Sequence, residues 1–213
     1  MKYLLLVPII CLCLQDVRAQ EEVETTSQEA KKKVVAGIRA GIVNSNVYDR
    51  QGEEFVADGK TGLSAGGYLA LPLGSLLGVQ PEVILMQKGF EGAGKTGGEQ
   101  YYINRTTTNL DIPLQLMIKP FKWFTFLIGP QYSFILNQKD NYTYANSAQK
   151  TSLTTSDRNQ HVGTLTGVDL NFSHVVLSFR SGWDLSKNTN TSNPSVPTYR
   201  NRWVQWTIGY RFY

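Results

Sequence analysis

The stretch Asn109-Leu-Asp-Ile-Pro-Leu-Gln-Leu-Met-Ile-Lys119 decides how this chain folds. Leu110, Ile112, Leu114, Leu116 and Ile118 alternate with Asn109, Asp111, Gln115 and Lys119. A period of two places all the aliphatic residues on one face of an extended strand and the polar ones on the other. The same period recurs seven more times. It runs through Val34–Val43, Gly62–Leu71, Leu77–Gly89, Trp123–Leu136, Val162–Phe172, Val175–Trp183 and Arg202–Phe212. Segments of this length match the ~9–11 residues that a tilted strand needs to cross a bilayer.

The connectors alternate as well. Short ones (Pro72–Leu76, Lys119–Lys122, Asn171–His174) follow the even-numbered strands. Long polar ones (Asn44–Thr61, Phe90–Thr108, Asn137–His161, Leu185–Asn201) follow the odd-numbered strands. Short turns on one rim and long external loops on the other suit an all-β, transmembrane, antiparallel up-and-down barrel of eight strands. An even strand count returns both termini to the short-turn rim.

A soluble barrel alternates too, with its apolar face inside. The polar face tells the two apart. It carries Arg39, Glu82, Lys88, Asp111, Asp169, Arg180, Asp184 and Arg211 among small Gly and Ser residues. An eight-stranded barrel is only wide enough for side chains to fill, and buried charge is costly unless paired. Mixed signs on several strands therefore predict a filled polar lumen and a greasy exterior. Trp123, Phe124, Trp183, Trp203, Tyr210 and Phe212 lie near strand ends, where aromatic girdles meet the lipid headgroups.

The first nineteen residues read as an export signal: Lys2 gives the positive start, Leu4–Leu14 is an unbroken apolar run, and Val17-Arg18-Ala19 offers a cleavage site. Eleven apolar residues are too few for a spanning helix. Residues 20–33, containing EEVETTSQEAKKK, form a flexible periplasmic lead-in, and 34–213 form the barrel. Both cysteines, Cys11 and Cys13, fall in the signal, which leaves the mature chain without a disulfide or a thiol site. The formal charge of +4 becomes +3 once Lys2, Asp16 and Arg18 are removed, a balance that makes no case for nucleic acid.

The last strand ends Trp206-Thr-Ile-Gly-Tyr210-Arg-Phe212-Tyr213. It resembles the C-terminal signature by which the barrel-assembly machinery recognises outer-membrane clients, with Tyr210, Phe212 and Tyr213 as the residues concerned. Further runs resemble the PorT-like outer-membrane β-barrel family of Bacteroidetes. They are GIRAGIVNSNVYD at Gly37–Asp49, LPLGSLLGVQPEVILMQKGF at Leu71–Phe90, LDIPLQLMIK at Leu110–Lys119, FLIGPQYSFIL at Phe126–Leu136 and IGYRF at Ile208–Phe212. The resemblance covers nearly all of the mature chain. It implies the barrel fold and an outer-membrane location, and one member is associated with secretion and gliding machinery.

Other motifs carry less. Gly89–Thr96 (GFEGAGKT) matches the phosphate-loop pattern letter for letter, but no helical period follows it to cradle a phosphate. It reads as a flexible external loop. His161 and His174 are the only histidines and fall on opposite rims, so they share no metal or catalytic site. For a lone rim histidine to act as a base it needs an adjacent serine, and Ser147, Ser152 and Ser156 are candidates only because their loop is rich in Ser and Thr. Loops 137–161 and 185–201 are rich in Asn, Ser, Thr and Tyr, a composition suited to a glycan or an envelope-protein partner.

The expectation is a monomer in outer-membrane lipid, with no cofactor, metal or catalytic residue. Its role is structural, adhesive or accessory in an envelope complex, secretion-related in the reading that the resemblance suggests. The alternatives are a narrow porin-like channel for small solutes and a lipid-modifying enzyme.

Overall fold

A computed structural model describes residues 33–51, 55–96, 99–144, 147–153, 160–187 and 198–212. The residues read from sequence as an export signal, and nearly all of those read as a lead-in, lie outside them, as do Ser156, Tyr213 and part of each long connector. The described strands are β1 (Val35–Gln51), β2 (Phe55–Pro72), β3 (Leu77–Thr96), β4 (Glu99–Phe121), β5 (Phe124–Tyr144), β6 (Ser147–Leu153), β7 (Gln160–Phe172), β8 (Val175–Asp184) and β9 (Thr198–Phe212). Eight of them close a ring in the order β1-β2-β3-β4-β5-β7-β8-β9, sealed by antiparallel pairing of β9 with β1. The ring leaves no unpaired edge for lipid to meet, as a bilayer requires. The extra strand, β6, pairs with the outer end of β5.

Within the membrane band each strand faces as its period dictates. Ile38, Ile42, Leu63, Leu85, Leu114, Leu116, Phe179 and Ile208 are exposed, while Arg39, Glu82, Asp111, Gln115, Asp169 and Arg180 are buried. The aliphatic face therefore points outward and the ionic face inward.

The strands run much further out than the lipid-type alternation suggests. The segments 44–51, 90–96, 99–108 and 137–144, read from sequence as external loops, are strand. The GFEGAGKT run is the outer half of β3, laddered to β4 from Gly89↔Thr106 to Thr96↔Glu99, and so is not a loop. From Leu85 to Thr96, β3 extends about 37 Å along its length at ~3.4 Å per residue.

In this outer wall the sidedness is mixed: apolar residues enter the inner face beside the buried Arg105 and Asp140, and polar residues join Val56 and Tyr102 on the outer one. Val47, Phe90, Tyr101, Ile103 and Tyr199 form a buried apolar cluster inside the wall, while Asp58, Glu91 and Asn141 face out. Bulges accompany the change. Leu136 is an extra residue on β5 between the Asn109↔Ile135 and Thr108↔Asn137 pairs, so the inward series passes from Gln131 and Ser133 to Gln138 and Asp140. One added residue flips the facing of everything beyond it.

Three inward aromatic rings lie across the glycine directly opposite. Gly37 faces Tyr68, Gly94 faces Tyr101 and Gly182 faces Trp203. A Cβ on any of these glycines would stand 2.3–2.6 Å from a ring atom. Only glycine leaves room for the ring to lie flat against the partner strand.

Candidate functional site

The charged lumen is built in levels. Innermost, Ala70, Met117 and Leu127 form an apolar cluster against Val35. Above it four ionic side chains meet. Arg180 Nη1 donates to Glu82 Oε2 at 2.6 Å, and its Nη2 donates to Asp169 Oδ1 at 3.4 Å. Arg39 Nη2 lies 3.4 Å from Asp169 Oδ2 and 3.5 Å from Glu82 Oε1. Gln80 donates to Glu82 at 2.7 Å, Arg39 Nη1 donates to Ser178 at 3.1 Å, and the Arg39 guanidinium sits 4.3 Å from the centre of the Tyr68 ring.

Two cations and two anions in alternating contact leave the cluster formally neutral, the condition for keeping such groups out of water. β3 and β8 stand four places apart in a ring of eight. The Arg180–Glu82 pair therefore joins diametrically opposite walls.

The next level is the apolar cluster Val43, Ile84, Met86, Leu165 and Trp203. Trp203 is 1 % exposed, so it is a lumen residue and not a girdle residue as its position near a strand end suggests. The reason is parity: Val204 and Trp206 take the outer face of β9, and odd-numbered Trp203 must turn in. Trp123, Trp183, Tyr210 and Phe212 do lie exposed at the strand ends, while Phe124 is half-buried. Lys88 Nζ lies 2.8 Å from Asp111 Oδ2 and 3.7 Å from the Trp203 ring centre, so the cation is held by both an anion and a π face. Asp184 is buried near this level and accepts from Asn201 at 2.7 Å. In the outer wall, Arg105 binds Asp140 through two parallel bonds of 2.7 and 2.5 Å and also reaches the Tyr199 hydroxyl across the ring.

The structure thus brings Arg39, Glu82, Asp169 and Arg180 into one cluster and Lys88 with Asp111 into another. Arg211 stands apart at the inner rim, where its guanidinium donates to the Ser173 carbonyl. Sequence reading missed the Arg105–Asp140 pair, because both residues fell in segments assigned to loops. An inward period of two through Tyr101, Ile103 and Arg105 was the signal available.

His161 lies buried at the outer end of β7, with Nδ1 3.4 Å from Ser186 Oγ. Ser186 is thus a serine beside His161 among the described residues; Ser156 and the side chains of Ser147 and Ser152, the serines proposed from sequence, lie outside them. The Ser186 hydroxyl also accepts from the Val162 amide at 3.1 Å. At the opposite rim His174 meets the Arg211 carbonyl at 3.1 Å and stacks on Tyr210. Among the described residues no three His, Cys, Asp or Glu side chains converge as a metal site.

A closed eight-strand ring with aliphatic residues outside and paired ions inside is the architecture of an outer-membrane barrel, and the sequence of residues 19–190 matches the outer membrane protein beta-barrel domain family. The chain belongs to that family. It is accordingly an outer-membrane protein, seated in membrane lipid.

No curated protein matches the sequence significantly. Among solved structures it is similar to Ail, the attachment invasion locus protein of Yersinia pestis, in complex with the heparin analogue sucrose octasulfate. That likeness has a TM-score of 0.50 at 13% identity and covers 84% of this chain and 99% of that one. The outer membrane protein OprG of Pseudomonas aeruginosa is similar at a TM-score of 0.44 and 12% identity, over 85% of this chain and 97% of that one. The outer membrane protease OmpT of Escherichia coli is similar at 0.43 and 9%, over 89% of this chain and 99% of that one. At such identities the likeness to Ail speaks for the fold alone.

Proposed function

We propose that this protein is a non-conducting surface barrel whose outer wall serves adhesion or docking in an envelope complex. One observation carries the reading: Arg180 on β8 and Glu82 on β3 meet at 2.6 Å from opposite sides of the ring. A hydrated pore through an eight-stranded barrel has to pass that contact. Opening it exposes two buried ions to separate solvation and breaks the links to Arg39 and Asp169 as well. The barrel is a rigid holder in this reading, and function lies on the wall that it carries outward.

The resemblance to PorT-like proteins favours an accessory role in an envelope complex, secretion among the candidates. Tyr210 and Phe212, exposed on the outer face of β9, are proposed with Tyr213 as the residues that the barrel-assembly machinery reads. The protein acts as a monomer in this proposal, and none of its residues is assigned catalysis.

Planar-bilayer recording of the purified, refolded protein tests the reading. We expect no discrete conductance steps in wild type, and steps in Glu82→Ala/Arg180→Ala, where the bridging pair is gone. Stable steps in wild type would replace this proposal with a narrow channel. Affinity purification from detergent-solubilised envelope, with a stoichiometric co-purifying protein expected, tests the docking role separately.

A further inference from the structure

The outward face of the wall carries a groove of about 630 Å³ across β2, β3, β4 and β5. Its floor is a straight polar row in direct register: Asp58 opposite Glu91, Glu91 opposite Asn104, and Asn104 opposite Asn141. The next outward row brings Val56 opposite Ala93 and Ala93 opposite Tyr102. Val56 is 68% exposed and Tyr102 is 55% exposed, so an aliphatic side chain and an aromatic ring stand free above the polar floor.

The floor is pre-ordered. Lys60 Nζ donates to Asn104 Oδ1 at 2.6 Å and to Thr106 Oγ1 at 2.7 Å, and Asn104 Nδ2 donates to Glu91 Oε1 at 2.7 Å. Glu91 stands about 20 Å along β3 beyond Leu85, the last aliphatic residue of that strand facing lipid. The groove is therefore clear of the hydrocarbon, at the height where surface glycans lie.

We infer that this groove binds a short oligosaccharide of neutral or amino sugars. Two carboxylates and two carboxamides in one line offer the acceptors and donors that neighbouring hydroxyls need, and carboxylate acceptors make the stronger bonds. The free Tyr102 ring offers an apolar plate for a pyranose face, at little cost in side-chain entropy. The volume falls within the ~300–1,000 Å³ of small-ligand sites. Lys60 offsets one of the two carboxylates and leaves the floor net negative, which disfavours sulfated or phosphorylated sugars. This sets the groove apart from the polyanionic sugar bound by Ail.

The inference rests on the reading of the wall as the recognition surface, but its test does not depend on the lumen. The glycan has two sources, the membrane's own surface glycolipid or another cell's glycans, and the experiment separates them. Full-length protein in phosphatidylcholine nanodiscs is titrated with maltotriose, chitotriose, chitosan trimer and sucrose octasulfate, by saturation-transfer NMR and calorimetry. Thermal stability is compared in nanodiscs without lipopolysaccharide and with lipopolysaccharide whose outer chain is of neutral sugars, the part that would reach the groove above the phosphorylated core.

Saturable binding of at least one of the three uncharged or amino sugars, weakened tenfold or more by Tyr102→Ala and by Asp58→Asn/Glu91→Gln, supports capture of free glycan. A lipopolysaccharide-dependent rise in stability, abolished by the same variants, supports the membrane's own glycolipid. All three substitutions are at exposed positions, and retained heat-modifiable gel mobility certifies the fold. The inference is overturned if neither effect occurs, if the variants leave both unchanged, or if sucrose octasulfate competes for the groove. Such a result would leave the bilayer and co-purification tests of the broader role unaffected.

Discussion

Consider the replacement of Glu82 by Gln. The side chain keeps its shape and loses its charge, so packing is nearly unchanged while Arg180 and Arg39 lose their shared anion. The Arg180–Glu82 contact is 2.6 Å between atoms, which sets charge centres about 4 Å apart. At an effective dielectric of about 20, such a pair is worth roughly 4 kcal/mol. Breaking a buried pair from one side costs about 3–5 kcal/mol, because the partner stays buried and uncompensated. Here Asp169 still faces both arginines at 3.4 Å and recovers part of that. The expected loss is therefore about 2–4 kcal/mol.

Glu82→Gln/Arg180→Gln removes one charge of each sign and restores neutrality, so it should cost clearly less than the sum of the two single variants. The assay is reversible urea unfolding into lipid vesicles, followed by heat-modifiable mobility and tryptophan emission. A single-variant cost below about 0.5 kcal/mol, or strict additivity of the two substitutions, would show that the ions are solvated and not paired across the lumen.

Facing can be read directly from single-tryptophan variants in dibrominated lipid: emission from Trp206 should be quenched strongly and emission from Trp203 hardly at all. Equal quenching of the two would reverse the assignment of the β9 faces. Gly37→Leu should displace the Tyr68 ring from its seat and destabilise the barrel by about 1–3 kcal/mol, as over-packing does, whereas the same change at Gly67, whose added Cβ meets nothing closer than 3.5 Å, should cost much less in the same urea series. Phe212→Ala should reduce the fraction of cellular protein that reaches the heat-modifiable folded form, with little effect on urea stability once folded; unchanged assembly would remove Phe212 from the recognition signature.

Strand facing inside the membrane was legible from the chain itself. Lipid and lumen demand opposite chemistries, and a strand turns successive side chains to opposite sides, so Leu114 and Gln115 declare their environments by position alone. The barrel class, the outward aliphatics and the inward ions follow from that period, together with the mixture of charge signs. The wall did not follow, although it obeys the same geometry. Beyond Leu85 and Leu110 the solvent changes from acyl chains to water, so Val47, Phe90 and Ile103 turn inward and polar residues share the outer face, where a search for greasy outward faces finds only polar loops.

Pairing partners also lay beyond the sequence. Nothing local links Glu82 to Arg180, 98 residues later, because ring closure and strand stagger choose which inward side chains meet across the axis. The same holds for the groove, whose floor draws one residue from each of four strands; Trp203 is the opposite case, since its parity with Val204 and Trp206 already turns it inward. Period and composition fix what each residue must face; only the closed sheet, through its bulges and register, decides which residues face one another.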